Sequence, residues 1–376
     1  MLVVVVGTLL LTSCSAVGTE LSESTTTTAP PVTLVADPVA GAADVAPDHV
    51  VTITASSGTL GALTVTSPAG AVAGVLSDDN TNWHSTATLI PLTTYTVVGT
   101  TVDAAGSTAA IGWSFTTGKP ATVFRAILSP GDDKVVGVGM PAIIKLSSAV
   151  PKAQHAAFVS RLKVITVPAV TGAWHWFSDT ELHYRPATYW PAGTKIEVDA
   201  KIAGYTPGDG SFAVKDVNIK YAVGDAHVST VDVNAHSMSV TNNGVVVKTI
   251  PVSTGRDQYP THSGVHVASE KANPKIMDSS TVGIPRDGPG GYYESVPFSV
   301  RISNSGEFVH AASWSTGSQG NSNVSHGCVN VSPTDGQWFY DFTQIGDVVD
   351  VVGSPVQLEP TNGWGDWQIP WAQWAN

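Results

Sequence analysis

The sequence predicts a mainly β protein: two β-sandwich blocks, a third β-rich block and a short tryptophan-rich tail. Three observations carry this. Short alternating runs of Val, Ile, Thr and Tyr recur along most of the chain, and turn residues separate them. Glycine (36 residues) and proline (24) supply the turns that so many short strands need. Helical periodicity is confined to two short stretches, and 376 residues leave room for two or three domains.

The elements follow in chain order. Residues 1–14 open with an almost wholly apolar run, Met1 to Leu11, too short to span a bilayer, which takes about 20 residues. It reads as the core of a secretory signal lacking its basic start. Leu11-Thr12-Ser13-Cys14 resembles a bacterial lipobox, so Cys14 is expected to be lipidated and to anchor the chain through buried methylenes. Residues 15–33, with Thr25 to Thr28 and Ala29-Pro30-Pro31, form a Ser/Thr/Pro linker that cannot bury a core. The expected location is therefore outside the cytoplasmic membrane, on its outer face or in the wall, with membrane contact only through the lipid.

Residues 34–118 carry Val50-Val51-Thr52-Ile53-Thr54, Leu63-Thr64-Val65-Thr66 and Tyr95-Thr96-Val97-Val98, a sandwich pattern. Residues 120–223 repeat it with Ala142 to Leu146, Leu162 to Val167, Glu181 to Arg185 and Lys195 to Ala200, and a short helix is expected over Ala153 to Leu162. Neither block has the cysteine pair of antibody domains, so Ig-like describes architecture alone. Residues 224–352 form the third block. Asn242-Asn243-Gly244 marks a hairpin turn there, and Asp335 to Phe342 is its best helix. Residues 353–376 carry Trp364, Trp367, Trp371 and Trp374, expected to pack against the sheet of the third block.

The chemistry concentrates in Ser325-His326-Gly327-Cys328-Val329-Asn330 and Phe308-Val309-His310. Free cysteines are most often buried core residues. Cys328 instead sits in a polar segment with two candidate imidazoles. With Cys14 lipidated it is the one remaining thiol of an exported chain. A neighbouring imidazole activates a thiol by taking its proton, so a thiol pKa below the free value of about 8.5 is expected. Gly327 lacks Cβ and leaves room near the sulfur for an acyl group. If the strand carrying His310 pairs with the Cys328 segment, directly opposite side chains lie about 4.5–5.5 Å apart. His326, two residues from Cys328, lies about 6–7 Å along an extended chain. His310 is therefore the candidate base and His326 a supporting or substrate-contacting group. Ala311 offers only its carbonyl to orient His310.

These residues resemble the signature of the L,D-transpeptidase catalytic domain, the YkuD-like family, in its mycobacterial-type multi-domain form. Lys275-Ile276-Met277-Asp278-Ser279-Ser280-Thr281, Gly291-Tyr292, Ala312-Ser313-Trp314-Ser315, Gln337 to Asp341 and Gly365 to Trp371 match as well. The resemblance covers roughly residues 225–376; the domains before it match in layout. It implies a YkuD-like third domain with a C-terminal subdomain, Cys328 as nucleophile and His310 as base, the latter oriented by the carbonyl after it. Tyr292, Met277 and Trp314 would line the donor side. Ser305, Gly306, Ser325 and Asn330 would bind the peptide stem. The implied reaction is a 3→3 peptidoglycan cross-link from a tetrapeptide donor to a meso-diaminopimelate acceptor, without a cofactor, with carbapenems as inhibitors. Val282 stands where a tyrosine is common in that family, leaving one wall smaller.

Other classes are weaker. A net charge of −12 excludes nucleic-acid binding. No C-x-x-C or H-E-x-x-H pattern is present, and Gly264 and Pro260 oppose a helix that would align His262 and His266 on a metal. A non-catalytic wall-binding lipoprotein, or a carboxypeptidase or hydrolase of the same stem, remain the alternatives.

Overall fold

The computed structural model describes residues 30–376. The apolar start, Cys14 and nearly all of the Ser/Thr/Pro linker lie outside the described residues.

The first unit holds two four-stranded sheets. One orders Thr33–Asp37, Thr52–Ser56, Asn82–Ser85 and Gly74–Leu76; the other orders Gly70–Ala71, Gly58–Ser67, Thr94–Asp103 and Thr108–Thr116. Strand alternation buries Val51, Ile53 and Ala55 on one face, with Leu60, Val65, Trp83 and Val97 also in the core.

The second unit contains both the second sandwich and the third block. The sandwich pairs the sheet Ala126–Ser129, Ala142–Leu146, Glu181–Pro186, Gly172–Ser178 with the sheet Lys134–Val136, Val217–Val223, Lys195–Ala200, Leu162–Val167. The expected helix is shorter than read: a 3-10 turn at Lys152–Gln154 leads into His155–Val159, and Leu162 already begins a strand. The core, with Phe124, Ile144, Phe158, Trp190 and Val198, is continuous with Val348 of the third block. Main-chain bonds join the two as well: the Gly137 N–H donates to the Ile345 carbonyl at 2.8 Å, and Gly139 to Gly346 at 2.9 Å. A Cβ on Gly137 would fall 2.1 Å from the Asp347 nitrogen, so only glycine permits this approach.

The third block has a five-stranded sheet ordered Val245–Pro251, Ser237–Asn242, His227–Asp232, Val348–Val352, Gly264–Val267. The two-residue turn Asn243-Gly244 closes its hairpin, with φ of 50° and 80° as a primed turn requires. A second sheet orders Glu270–Ala272, Ser299–Arg301, Phe308–Ala311 and Val329–Val331. Between the sheets lie Val231, Met238, Ile250, Val300, Val309, Val329 and Phe339. The helix starts at Pro333, earlier than read, because the Ser332 hydroxyl accepts from the Asp335 N–H at 3.1 Å and proline fits the first turn.

The tail packs on two surfaces where the sequence reading expected one. It lies against the second sandwich as well as the edge strand Gly264–Val267 of the third block. Trp374 is fully buried and its indole N–H donates to Ala173 at 2.9 Å; Trp367 donates to Gly139 at 2.9 Å. The Arg185 guanidinium lies over the rings of Trp374, Trp367 and Trp371 at 4.2, 4.7 and 5.7 Å. On the third block, the Leu358 N–H donates to the Ser263 carbonyl at 2.8 Å, the Ser263 N–H to the Val356 carbonyl at 2.7 Å, and the Gln368 amide to the Val265 carbonyl at 3.0 Å.

Candidate active site

The crossover between Phe308–Ala311 and Val329–Val331 builds the site. The strands pair in parallel, with Val309 opposite Val329 and His310 opposite Asn330. The facing of His310 and Cys328 across the ladder is therefore not observed. Cys328 sits one residue before its strand, and a cavity of about 290 Å³ brings the two side chains together. Met277, Tyr292, Trp314, Ser325, His326 and Asn330 line the same cavity.

His310 is 3% exposed. Its Nδ1 lies 3.1 Å from the Ala311 carbonyl, which only accepts, so Nδ1 carries the proton and Nε2 keeps its lone pair. Burial pushes its pKa down to about 4, and the Ala311 carbonyl only partly opposes this. Burial pushes the Cys328 thiol up to about 12; the Phe308 N–H and Arg301 act downward and Glu307 upward. The lowered thiol pKa expected from the sequence is thus corrected. The resting pair is a neutral thiol beside a neutral imidazole, because neither sees a compensating charge strong enough to offset desolvation. Cys328 Sγ lies 3.6 Å from the Gly306 carbonyl.

Gly327 is also used differently than expected. Its φ is +117°, and a Cβ there would meet the Glu307 side chain at 3.5 Å. Backbone conformation requires glycine, and the freed space faces Glu307. Ser325 braces the turn: its hydroxyl donates to the Cys328 carbonyl at 2.6 Å and accepts from the Gly327 N–H at 3.1 Å.

His326 is pinned by a residue that the sequence reading missed. The Arg256 guanidinium lies 2.8 Å from its Nε2, which must then accept. Burial, then Arg256, lowers the His326 pKa, and Tyr259 and Tyr292 pack beside its ring at 4.9 and 5.4 Å. Trp314 is 57% exposed and stacks by His310 with centroids 5.8 Å apart. Asn330 is buried and donates to the Ser315 hydroxyl at 3.0 Å.

Met277 and Tyr292 come from the hairpin region Lys275–Asp278 with Tyr293–Val296. Asp278 organises the turn above it, accepting from the Ser280 N–H at 3.0 Å and pairing with Arg286. On the far side of Met277 and Tyr292 lies a second cavity of about 300 Å³, walled by Lys275, Arg301, Val282 and Gly306. Ser305 reaches neither cavity. Its N–H donates to Asn362 at 2.8 Å and its hydroxyl lies 2.9 Å from that of Ser303. His262 and His266 do not converge on a metal position; among the described residues no group of three His, Cys, Asp or Glu does.

Comparison with known proteins gives the family. The Bacterial Ig domain profile matches residues 42–206, across both sandwich blocks, and the L,D-transpeptidase catalytic domain profile matches 226–351. L,D-transpeptidase 2 of Mycobacterium tuberculosis (strain CDC 1551 / Oshkosh) is 40% identical over 336 residues, covering 89% of this chain and 82% of that one. L,D-transpeptidase 5 of Mycobacterium tuberculosis (strain ATCC 25618 / H37Rv) is 35% identical over 376 residues, covering 97% and 81%. An L,D-transpeptidase solved in complex with imipenem is 32% identical, with a TM-score of 0.54 over 62% of this chain and all of that one. L,D-transpeptidase 3 from Mycobacterium tuberculosis, solved with a faropenem-derived adduct, is 32% identical with a TM-score of 0.51, covering 60% and 97%. With its Ig-like portion, its transpeptidase domain and these relatives, this chain belongs to the L,D-transpeptidase family.

Proposed function

We propose that the chain forms 3→3 peptidoglycan cross-links through a thioester on Cys328. The observation that carries this is the joint cavity of Cys328 and His310, with His310 Nδ1 held on the Ala311 carbonyl. Cys328 Sγ attacks the carbonyl of the third residue, a meso-diaminopimelate, of a tetrapeptide stem. Its proton passes to His310 Nε2. The tetrahedral intermediate collapses, the C–N bond breaks, and the terminal D-alanine leaves with the proton from His310. The side-chain amine of a second stem's diaminopimelate then attacks the thioester and gives its proton to His310. The C–S bond breaks and the thiol is restored. No proton is gained or lost overall, and no redox partner is needed.

A neutral resting pair suits this sequence. The proton moves as the carbonyl is attacked, when the developing charge makes the transfer favourable. Carbapenems fit the same step, since a strained acyl carbon meets the same sulfur; imipenem and faropenem-derived ligands on relatives support that reading. We also infer export and a lipid anchor at Cys14, which would hold the cleft near the wall. The test is incubation with disaccharide-tetrapeptide followed by mass analysis. A cross-linked dimer with loss of one D-alanine is expected. Tripeptide as the sole product would instead indicate hydrolysis, and intact substrate would refute the activity.

A further inference from the structure

Behind the nucleophile, on the Glu307 side, lies a cluster of ionisable residues that the proposed mechanism does not use. Glu307 is 3% exposed and sits between Gly306, whose carbonyl faces Cys328 Sγ, and Phe308, whose N–H acts on the same sulfur. Its side chain also lies against Gly327, the residue before the nucleophile. One carboxylate oxygen accepts from the His262 N–H and meets His262 Nδ1, both at 2.8 Å. The other is buried and makes no close hydrogen bond, with the Ser303 hydroxyl the one further polar group that favours its charge. A half-paired buried carboxylate is costly, so it calls for compensation by charge.

His266 supplies more of that compensation. It is fully buried on strand Gly264–Val267. Its Nδ1 lies 3.1 Å from the Ile302 carbonyl and its Nε2 2.9 Å from the His262 carbonyl. Both carbonyls only accept, so both ring nitrogens face acceptors and the ring's N–H groups are turned to the main chain. The adjacent Thr261 hydroxyl donates to the Gly327 carbonyl at 2.7 Å, so the segment that carries His262 also holds the nucleophile's turn.

We propose that Glu307, His262 and His266 are positioning residues: a charge-compensated cluster that holds the Gly327–Cys328 turn and sets how readily Cys328 carries negative charge. This rests on Cys328 being the nucleophile. The carboxylate opposes a thiolate beside it, and the two imidazoles cancel that opposition. His262 is the variable member, because part of it reaches solvent while Glu307 and His266 do not. Its pKa is raised, chiefly by the hydrogen bond to Glu307. The other charges are accounted for. Arg301 and His310 face the sulfur region, and Tyr292 couples to Cys328 from the hairpin. Glu359 acts on His262 from the tail loop, and Asp350 neighbours His266 from strand Val348–Val352.

The test is the iodoacetamide alkylation rate of Cys328 in the full folded protein. At pH 7, Glu307→Gln should react about 3–10-fold faster and His262→Asn slower by a similar factor, the effect of a local charge worth half to one pH unit. The double variant should return close to the parent, because His262 matters only while the carboxylate is present. In the parent, rate should climb less steeply with pH as His262 loses its proton, and His262→Asn should remove that inflection. A merely structural role would slow both variants or add their effects, and would leave the inflection in place; either result overturns the proposal. His262→Asn, at the more accessible position, gives an independent reading if Glu307→Gln folds poorly. Acylation by a peptide stem without opposed rate changes overturns the cluster alone. Opposed rate changes without acylation overturn the transpeptidase reading alone.

Discussion

Two buried histidines show how one residue type is put to opposite uses. His310, in the cleft, has only the Ala311 carbonyl and no carboxylate on its ring; burial wins and its pKa falls to about 4. His183, beneath the tail, is equally buried but lies 2.7 Å from Asp366 and 3.0 Å from Glu181. Burial opposes its charge too, yet the two carboxylates outweigh it and its pKa is raised. Desolvation without a counter-charge leaves a neutral base able to take a proton during reaction. Desolvation with counter-charges leaves a fixed cation that locks two elements together.

The largest effects are expected on the cleft side. Cys328→Ala should cut turnover more than about 10³-fold, as removal of a nucleophile does. Thermal unfolding should move little, since a thiol becomes a methyl. His310→Ala should slow acylation by roughly 10²–10⁴-fold, the range for loss of a general base. Steady-state assay beside stopped-flow acylation distinguishes the two. If His326→Ala costs more than His310→Ala, the roles are reversed.

On the tail side, Arg185→Ala should cost about 3–5 kcal/mol, the scale for removing one member of a buried charged set. Arg185 is 2% exposed, donates to Pro186, Asp366 and Ile369 carbonyls, and covers three indoles. Denaturant unfolding checks this. A loss near zero would mean that indole packing alone holds the tail.

The smallest effect concerns pH. Because the folded pKa of His183 is raised, its contribution to stability is fully present below the unfolded value of about 6.5 and is lost as pH rises through the folded value. Unfolding midpoints should therefore fall over that window in the parent, and the fall should shrink in His183→Asn. An unchanged slope would show that Asp366 and Glu181 do not hold a charged imidazole.

The same contrast explains what was legible in the sequence. Cys328, Gly327, Ser325 and His310 stand in two short runs, so residue type and local spacing reveal them. Strand alternation likewise reveals most β elements, and Asn243-Gly244 its turn. The parallel register was hidden, because it depends on the long crossover and leaves no mark on either strand. Arg256 on His326 and Glu307 on His262 join residues 70 and 45 apart, with nothing local to pair them. The tail's partner lay farther still, 183 residues from Asp366 to His183. One signal was available: Arg185 ends Glu181-Leu182-His183-Tyr184-Arg185, a strand too charged to face a plain apolar core.

Everything proposed for the cleft requires that Cys328 Sγ, served by His310, be the acylated atom. Intact-protein mass analysis with meropenem, followed by peptide mapping, tests it most directly. A one-to-one adduct on Cys328 is expected, formed far more slowly in His310→Ala and not at all in Cys328→Ala. An adduct at another residue, or cross-linking by a protein whose Cys328 stays unmodified throughout, would contradict it.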